Sequence, residues 1–257
     1  MNPSLYDLIY SGLARSAAYR SALSDGSFDL PEWVVPLSSV HRAVLERLAA
    51  ELEVSENDEF VDLACGLGGP GLWIAQRTGA NVVGIDFSEV AIREARRVAE
   101  EIGMSSHATF VVADATRTGL PRSGFAAVVS IDSLQFIDAG AAAVEIARIL
   151  QPGGRAVITT WEKLTTVEVP TVVRDYRPYF QAAGLNVLNV EELGDARDRE
   201  LAHYRAMLKR ADLLRAEMRD GAEPILHEAD VGVRRGSDPP RVRKVLIVAR
   251  KPEGSFR

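Results

Sequence analysis

The sequence predicts an α/β protein built on a doubly wound, mostly parallel sheet of seven strands with helical caps. Three observations carry this. Strand-like and helix-like segments alternate from about residue 40 onward. The run from Phe125 to Ile131 is almost entirely apolar, as a strand covered on both faces requires. A glycine-rich turn at residues 62–71 joins the first strand pattern to the helix pattern after it.

Taken in order, Glu59 to Ala64 is a short β-rich run, and a helix pattern follows from Pro70 to Arg77. Asn81 to Asp86 is the second strand. Ser88 then caps a helix whose stripe is Ile92, Ala95, Ala99 and Ile102, with Arg93, Glu94, Arg97 and Glu100 expected to face water. Gly103 suits its C′ position. Thr109 to Ala113 and Phe125 to Ile131 are strands three and four. A helix over Ala139–Leu150 is broken by Gln151-Pro152-Gly153-Gly154, and Arg155 to Thr160 is strand five. Thr171 to Ala183 reads as helix, Leu185 to Val190 as strand six, and Arg243 to Ala249 as the last strand.

Two regions fall outside the alternation. Residues 1–40 carry Leu5, Tyr6, Leu8, Ile9, Tyr10 and Leu13 at irregular helical spacing. Arg197 to Arg219 reads as one long amphipathic helix with the stripe Leu201, Tyr204, Leu208, Ala211, Leu214 and Met218. The chain is read as a single domain over 1–257. Residues 1–40 form an N-terminal cap, and residues 195–240 a helical insertion between the last two strands.

Composition narrows the function. The 257 residues are 47% hydrophobic with a net charge of −6, a poor balance for nucleic-acid binding. The basic clusters Arg234-Arg235 and Arg241-Val242-Arg243-Lys244 read as solvated loop and strand edge. A single cysteine, Cys65, rules out an intrachain disulfide and a multi-cysteine metal site, and no metal is expected. Neither a basic-then-apolar leader nor a run approaching the ~18 apolar residues of a membrane span is present, so a cytoplasmic protein is expected.

The sharpest motif is Asp62-Leu63-Ala64-Cys65-Gly66-Leu67-Gly68-Gly69-Pro70-Gly71. Glycines let the backbone turn tightly and approach a ligand, and the helix behind offers free N–H groups. Gly66, Gly68 and Gly71 also satisfy the G-x-G-x-x-G pattern of dinucleotide-binding proteins. Asp86, 18 positions after Gly68, suits ribose hydroxyls in either cofactor.

Three further motifs follow in order: Val83-Gly84-Ile85-Asp86-Phe87-Ser88, Val112-Ala113-Asp114-Ala115 and Leu150-Gln151-Pro152-Gly153-Gly154-Arg155. Together with the loop, the chain resembles class I S-adenosylmethionine-dependent methyltransferases, which have a Rossmann-like fold, over roughly residues 40–161 and the last strand. The resemblance implies S-adenosylmethionine as cofactor and S-adenosylhomocysteine as product. It places Asp62, Ala64, Gly66 and Gly68 at the methionine part, Asp86 at the ribose and Phe87 on the adenine face. Asp114 and Ala115 would serve the adenine edge, with Ser130 and Gln135 near the methionyl part. Ala64 departs from the family, which usually has Gly there. A nicotinamide-dependent oxidoreductase is the alternative, but no Tyr-x-x-x-Lys pair occurs: Tyr204 is followed by Lys209. A fold relative that binds the cofactor without methylating also stays open.

The acceptor is expected to be a small molecule. No Asn/Asp-Pro-Pro-aromatic motif follows strand four, where Ile131-Asp132-Ser133-Leu134-Gln135-Phe136 stands, and Cys65 lies in the cofactor loop. The caps resemble those of quinone-biosynthesis and antibiotic-tailoring methyltransferases. Candidate bases are Asp132, His203, Tyr204 and His41. A homodimer remains open.

Overall fold

Seven strands pair into one sheet in the computed structural model, which describes residues 3–165 and 172–253. Helices α1 (Pro3–Leu13) and α2 (Ala17–Asp25) come first. Ser16 separates them, and its hydroxyl N-caps α2 by accepting the Tyr19 N–H at 3.0 Å. After α3 (Arg42–Leu52) the alternation begins with β1 (Glu59–Leu63), α4 (Gly69–Thr78), β2 (Asn81–Asp86), α5 (Glu89–Glu101) and β3 (Ala108–Val112). It continues with β4 (Phe125–Ile131), α6 (Ala139–Ile149), β5 (Leu150–Lys163), α7 (Arg177–Ala182) and β6 (Asn186–Glu192). Three helices, α8 (Ala196–Leu208), α9 (Ala211–Met218) and α10 (Ala222–Arg234), precede β7 (Val242–Arg250).

The strand order is β3-β2-β1-β4-β5-β7-β6. The first five strands pair in parallel, and β7 lies antiparallel between β5 and β6. The chain runs outward from β1 on one side and from β4 on the other, so a crevice opens where their C-terminal ends diverge.

Alternation along each strand feeds two cores. Phe60 joins Leu45, Leu48, Leu72 and Ile74 on one face, while Val61 and Leu63 join Val128, Ile146 and Phe180 on the other. Burying each such side chain stabilises the fold by about 1.5–3 kcal/mol. A third core of Leu13, Tyr19, Phe28, Met207, Leu214 and Leu226 holds α1, α2 and α8–α10 together as an outer helical layer.

Several local expectations change. The 197–219 helix is two helices, broken at Lys209–Arg210, and α10 adds a third. The helix expected over Thr171–Ala183 covers only Arg177–Ala182, and Thr171 lies outside the described residues. Pro178 favours a start in the first turn, and the Tyr176 N–H is taken by the Glu162 carboxylate at 3.1 Å instead of by a helix carbonyl. Strand five begins at Leu150, running through the Pro-Gly-Gly segment with a register shift against β4. Glu94 is buried, not solvated, because the Arg97 guanidinium lies over it and donates to it at 2.8 Å. Lys244, expected at a solvated strand edge, is fully buried; β7 is an interior strand. Among the described residues no helix is long and apolar enough to cross a membrane, and no cluster of side chains could hold a metal ion.

Candidate functional site

Beyond Leu63 the chain leaves the sheet through three left-handed residues, Ala64 (φ 63°), Gly66 (φ 54°) and Gly68 (φ 75°). Glycine accepts this conformation freely, whereas Ala64 carries a cost of about 1–2 kcal/mol. The loop curls around two carboxylates. Asp62 points beneath α4, so close to Gly71 that a Cβ there would collide with it. Asp86, at the end of β2, accepts the Gly66 N–H at 2.9 Å and the Ser88 N–H at 3.0 Å.

Asp62 and Asp86 are each only 2% exposed, and among the described residues neither has an ion-pair partner. Burial, helped by the Asp86 charge, pushes Asp62 up to about 7 against the pull of the Gly71 N–H. Burial also raises Asp86, opposed by its backbone donors. A site that holds two uncompensated acids suits a ligand with positive charge. Burial likewise pushes the Cys65 thiol well up, leaving it unsuited to nucleophilic attack.

The end of β4 is braced differently. Asp132 stands at φ 52°. Its Oδ2 accepts the Lys244 ammonium at 2.6 Å, and its Oδ1 accepts the Thr159 hydroxyl at 2.8 Å. Lys244 also donates to Ser39 Oγ at 2.9 Å and lies 5.9 Å from the Trp161 ring. Gln135 donates to the Asp132 carbonyl at 2.7 Å and accepts from Thr160 at 3.0 Å. The carboxylate thus has both oxygens engaged, one by a full positive charge.

A cavity of about 380 Å³ runs from these strand ends to the outer helical layer. Its inner part meets Asp62, Ala64, Cys65, Gly66, Asp86 and Phe87; its outer part meets Tyr19, Trp161, Glu200, His203, Tyr204 and Glu228. The Tyr6 ring packs edge-on against Phe87 at 5.5 Å. The Tyr204 hydroxyl donates to Glu228 Oε1 at 3.1 Å and lies against the Glu200 carboxyl.

The cavity gathers Asp62, Ala64, Gly66, Asp86, Phe87, Asp132, Gln135, His203 and Tyr204 among the residues singled out from sequence. Others lie outside its lining. Gly68 makes room for Ala95 and Phe110 behind the loop. Ser130 is fully buried and ties β4 to β1 by donating to the Leu63 carbonyl at 2.8 Å. Asp114 is exposed, its Oδ1 accepting the Thr116 N–H and hydroxyl, each at 2.7 Å; Ala115 follows it along the same edge. His41 precedes α3, 3.6 Å from Asp195 and away from the cavity.

His203 was a candidate base. It is 5% exposed and packed between Tyr19 and Phe28, and burial draws its pKa down to about 4, with only the Ala22 backbone opposing. Burial and the two neighbouring carboxylates hold the Tyr204 hydroxyl well above the usual phenol range, against a role as base.

Sequence reasoning missed Lys244, Glu200 and Glu228. Two signals were present: Glu200, His203, Tyr204 and Met207 share one helical face, and Ile225 and Glu228 share another. Nothing local marked Lys244 apart from its neighbours Arg241 and Arg243.

Comparison with known proteins agrees with this geometry. Residues 60–154 match a family model described as a methyltransferase domain. The methyltransferase GfsG of Streptomyces halstedii is 27% identical over 64% of this chain and 66% of its own length. The 27-O-demethylrifamycin SV methyltransferase of Amycolatopsis mediterranei is 26% identical over 81% and 82%. A sterol 24-C-methyltransferase of Aspergillus fumigatus is 35% identical, but the match spans 44% of this chain and only 30% of that one. The chain thus covers two thirds or less of several relatives it matches. Among solved structures, the [4+2]-cyclase SpnF shares the fold with a TM-score of 0.73 at 22% identity, over 82% of this chain and 81% of that one. Residues 60–154 are thus a methyltransferase domain, and the motif order and the glycine loop at the switch point fit the class I S-adenosylmethionine-dependent methyltransferases better than a nicotinamide-dependent oxidoreductase.

Proposed function

We propose that this protein transfers the methyl group of S-adenosylmethionine to a small, partly apolar acceptor. One observation carries the reading: a single cavity joins the acid-lined glycine loop to an aromatic chamber under the outer helices. Donor and acceptor sites in one enclosure are what an in-line displacement needs. When bound, S-adenosylmethionine supplies the electrophilic methyl group. Asp62 offsets the positive end of the cofactor, and Gly66 lets the backbone approach it. Asp86, with lone pairs to spare beyond its two backbone donors, accepts from ribose hydroxyls. Phe87 packs against adenine, whose outer edge falls to Asp114 and Ala115. Gln135 and Ser130 shape the end of β4. Asp132 orients and does not accept the proton, since Lys244 and Thr159 hold both its oxygens.

Residues 1–40 and 195–240 act as caps that close over the acceptor within one domain. The reading is of a cytoplasmic protein, with a homodimer open, that acts on a free metabolite without nucleic acid. The absence of Lys and Arg from the cavity lining supports the last point, and sedimentation measures the oligomeric state.

Parallel calorimetric titrations with S-adenosylmethionine, S-adenosylhomocysteine and NADH test the cofactor. The two adenosyl compounds bind and NADH does not; the reverse outcome overturns the reading. Release of S-adenosylhomocysteine with label transfer from [methyl-³H]-S-adenosylmethionine into an acceptor then separates transfer from a cyclase-like activity on the same fold. Bound S-adenosylhomocysteine protects the first 30 or so residues from protease; equal cleavage with and without it counts against closure.

A further inference from the structure

The outer chamber of the cavity has an unbalanced charge. Five carboxylates touch the cavity: Asp62, Asp86, Asp132, Glu200 and Glu228. None of the lining residues is Lys or Arg. Asp132 is neutralised from behind by Lys244, and Asp62 and Asp86 face the cofactor end. That leaves Glu200 on α8 and Glu228 on α10, joined through the Tyr204 hydroxyl. Among the described residues neither is ion-paired to a Lys, Arg or His side chain. The charged groups acting on Glu200 are Lys244 first, which favours its ionised form, then Glu228 and Asp132, which oppose it, and the Tyr204 hydroxyl is hydrogen-bonded to it.

Two further observations point to what fills the chamber. His203 lines it and is more than nine-tenths buried; the Ala22 backbone approaches one ring nitrogen, and no side chain bonds to the imidazole. A neutral imidazole offers a lone pair and no positive charge. The walls around it are aromatic: Tyr6, Tyr19, Trp161 and Tyr204. Carboxylates, an imidazole lone pair and aromatic faces together make a receptor for a cation that carries N–H donors.

We infer that the acceptor bears a basic amine, seated between Glu200 and Glu228 and walled by Tyr6, Tyr19, Trp161 and Tyr204, on an otherwise apolar body. Acceptors that carry phosphate or carboxylate are excluded by the same charges. This rests on the methyl-transfer reading above and names its substrate class. Burial pushes Glu200 up to about 7, so its ionised fraction grows as pH rises through neutrality. An alkylamine remains charged over that range, and its affinity rises with pH.

The test uses three isosteres, 4-phenylbutylamine, 4-phenylbutanol and 4-phenylbutyrate, titrated calorimetrically into the protein saturated with S-adenosylhomocysteine. The amine binds at least tenfold tighter than the alcohol, the carboxylate does not bind, and amine affinity increases severalfold from pH 6 to pH 8. In Glu200→Gln/Glu228→Gln the preference for amine over alcohol falls below threefold, while S-adenosylhomocysteine binds with wild-type affinity. If the double variant does not fold, Glu228→Gln alone, at the exposed mouth, lowers the preference at least threefold. Failure of the amine to bind, equal binding of the carboxylate, or a preference that survives the substitutions overturns the inference. Failure of S-adenosylhomocysteine to bind wild-type protein sinks the methyl-transfer reading instead, so the two are told apart.

Discussion

The two halves of the cavity are built by different means. The donor half comes from short, contiguous segments: the loop after β1 and the turn after β2. The first carries the glycines, each has a carboxylate at its strand end, and backbone N–H groups satisfy part of the Asp86 charge. The acceptor half is assembled from residues far apart in sequence, with Tyr19, Ser39, Asp132, Trp161, Glu200 and Glu228 meeting only after the sheet and outer helices pack. Its one neutralised acid relies on Lys244, 112 positions from Asp132. Local construction tolerates change elsewhere in the chain, and non-local construction makes the pocket hostage to the fold.

The largest effect is expected where that dependence is greatest. Lys244→Met leaves Asp132 buried beside an apolar side chain. It should destabilise the protein by about 3–5 kcal/mol in urea unfolding, because an uncompensated buried charge remains. Asp132→Asn in the same chain should recover most of the loss. If Lys244→Met is as stable as wild type, the acceptor half does not hang on this pair and the contrast fails.

Asp86→Ala tests the donor half. The substitution removes the acceptor of the Gly66 and Ser88 N–H groups and, on the function proposed above, of ribose hydroxyls. Affinity for S-adenosylmethionine should fall at least tenfold, about 1.4 kcal/mol, with the melting temperature little changed if the loop is locally supported. Wild-type affinity would remove Asp86 from the site.

This contrast also explains what could be read in advance. The seven strands were legible because each is a short β-rich or apolar run between turn signals, as in Asn81–Asp86 and Phe125–Ile131. The meeting of Asp62, Gly66 and Asp86 at one end of the cavity was legible because strand, glycine turn and helix are consecutive. Lys244 was not, because charge between Arg243 and Val245 looks solvated until β7 is known to lie inside the sheet. Glu94 misled for a related reason: its helical face is covered only once Arg97 folds over it. Glu200 and Glu228 acquire meaning as a pair, and the pairing of α8 with α10 leaves no periodic trace. His203 shows the limit of side-chain chemistry as a guide, since a histidine packed between aromatic rings is a different group from one in water.

Both halves share a titration that can be measured together. Asp62 and Glu200 have folded pKa values raised to about 7, above their unfolded values. Their protonated forms therefore favour the folded state below pH 4, and this contribution is lost as pH rises from about 4 through 7. Ligand-free protein should melt several degrees lower at pH 8 than at pH 5.5. S-adenosylmethionine should offset the part owed to Asp62, and a bound amine the part owed to Glu200. A melting temperature flat across this range would mean that neither acid is held uncompensated.

The smallest effect concerns the one residue of the glycine loop that departs from the family pattern. Ala64 sits at φ 63°, where a Cβ costs about 1–2 kcal/mol. Glycine would remove that cost but give the unfolded chain more freedom, worth about 0.4–1 kcal/mol. The two nearly cancel, so Ala64→Gly should stabilise the protein by less than about 1 kcal/mol in denaturant unfolding. Its effect on S-adenosylmethionine affinity should also be small, because the left-handed turn is already formed and Gly66 makes the close approach. A gain of tenfold or more in affinity would mean instead that the Ala64 methyl group narrows the donor half. The loop would then be less self-sufficient than its local construction suggests.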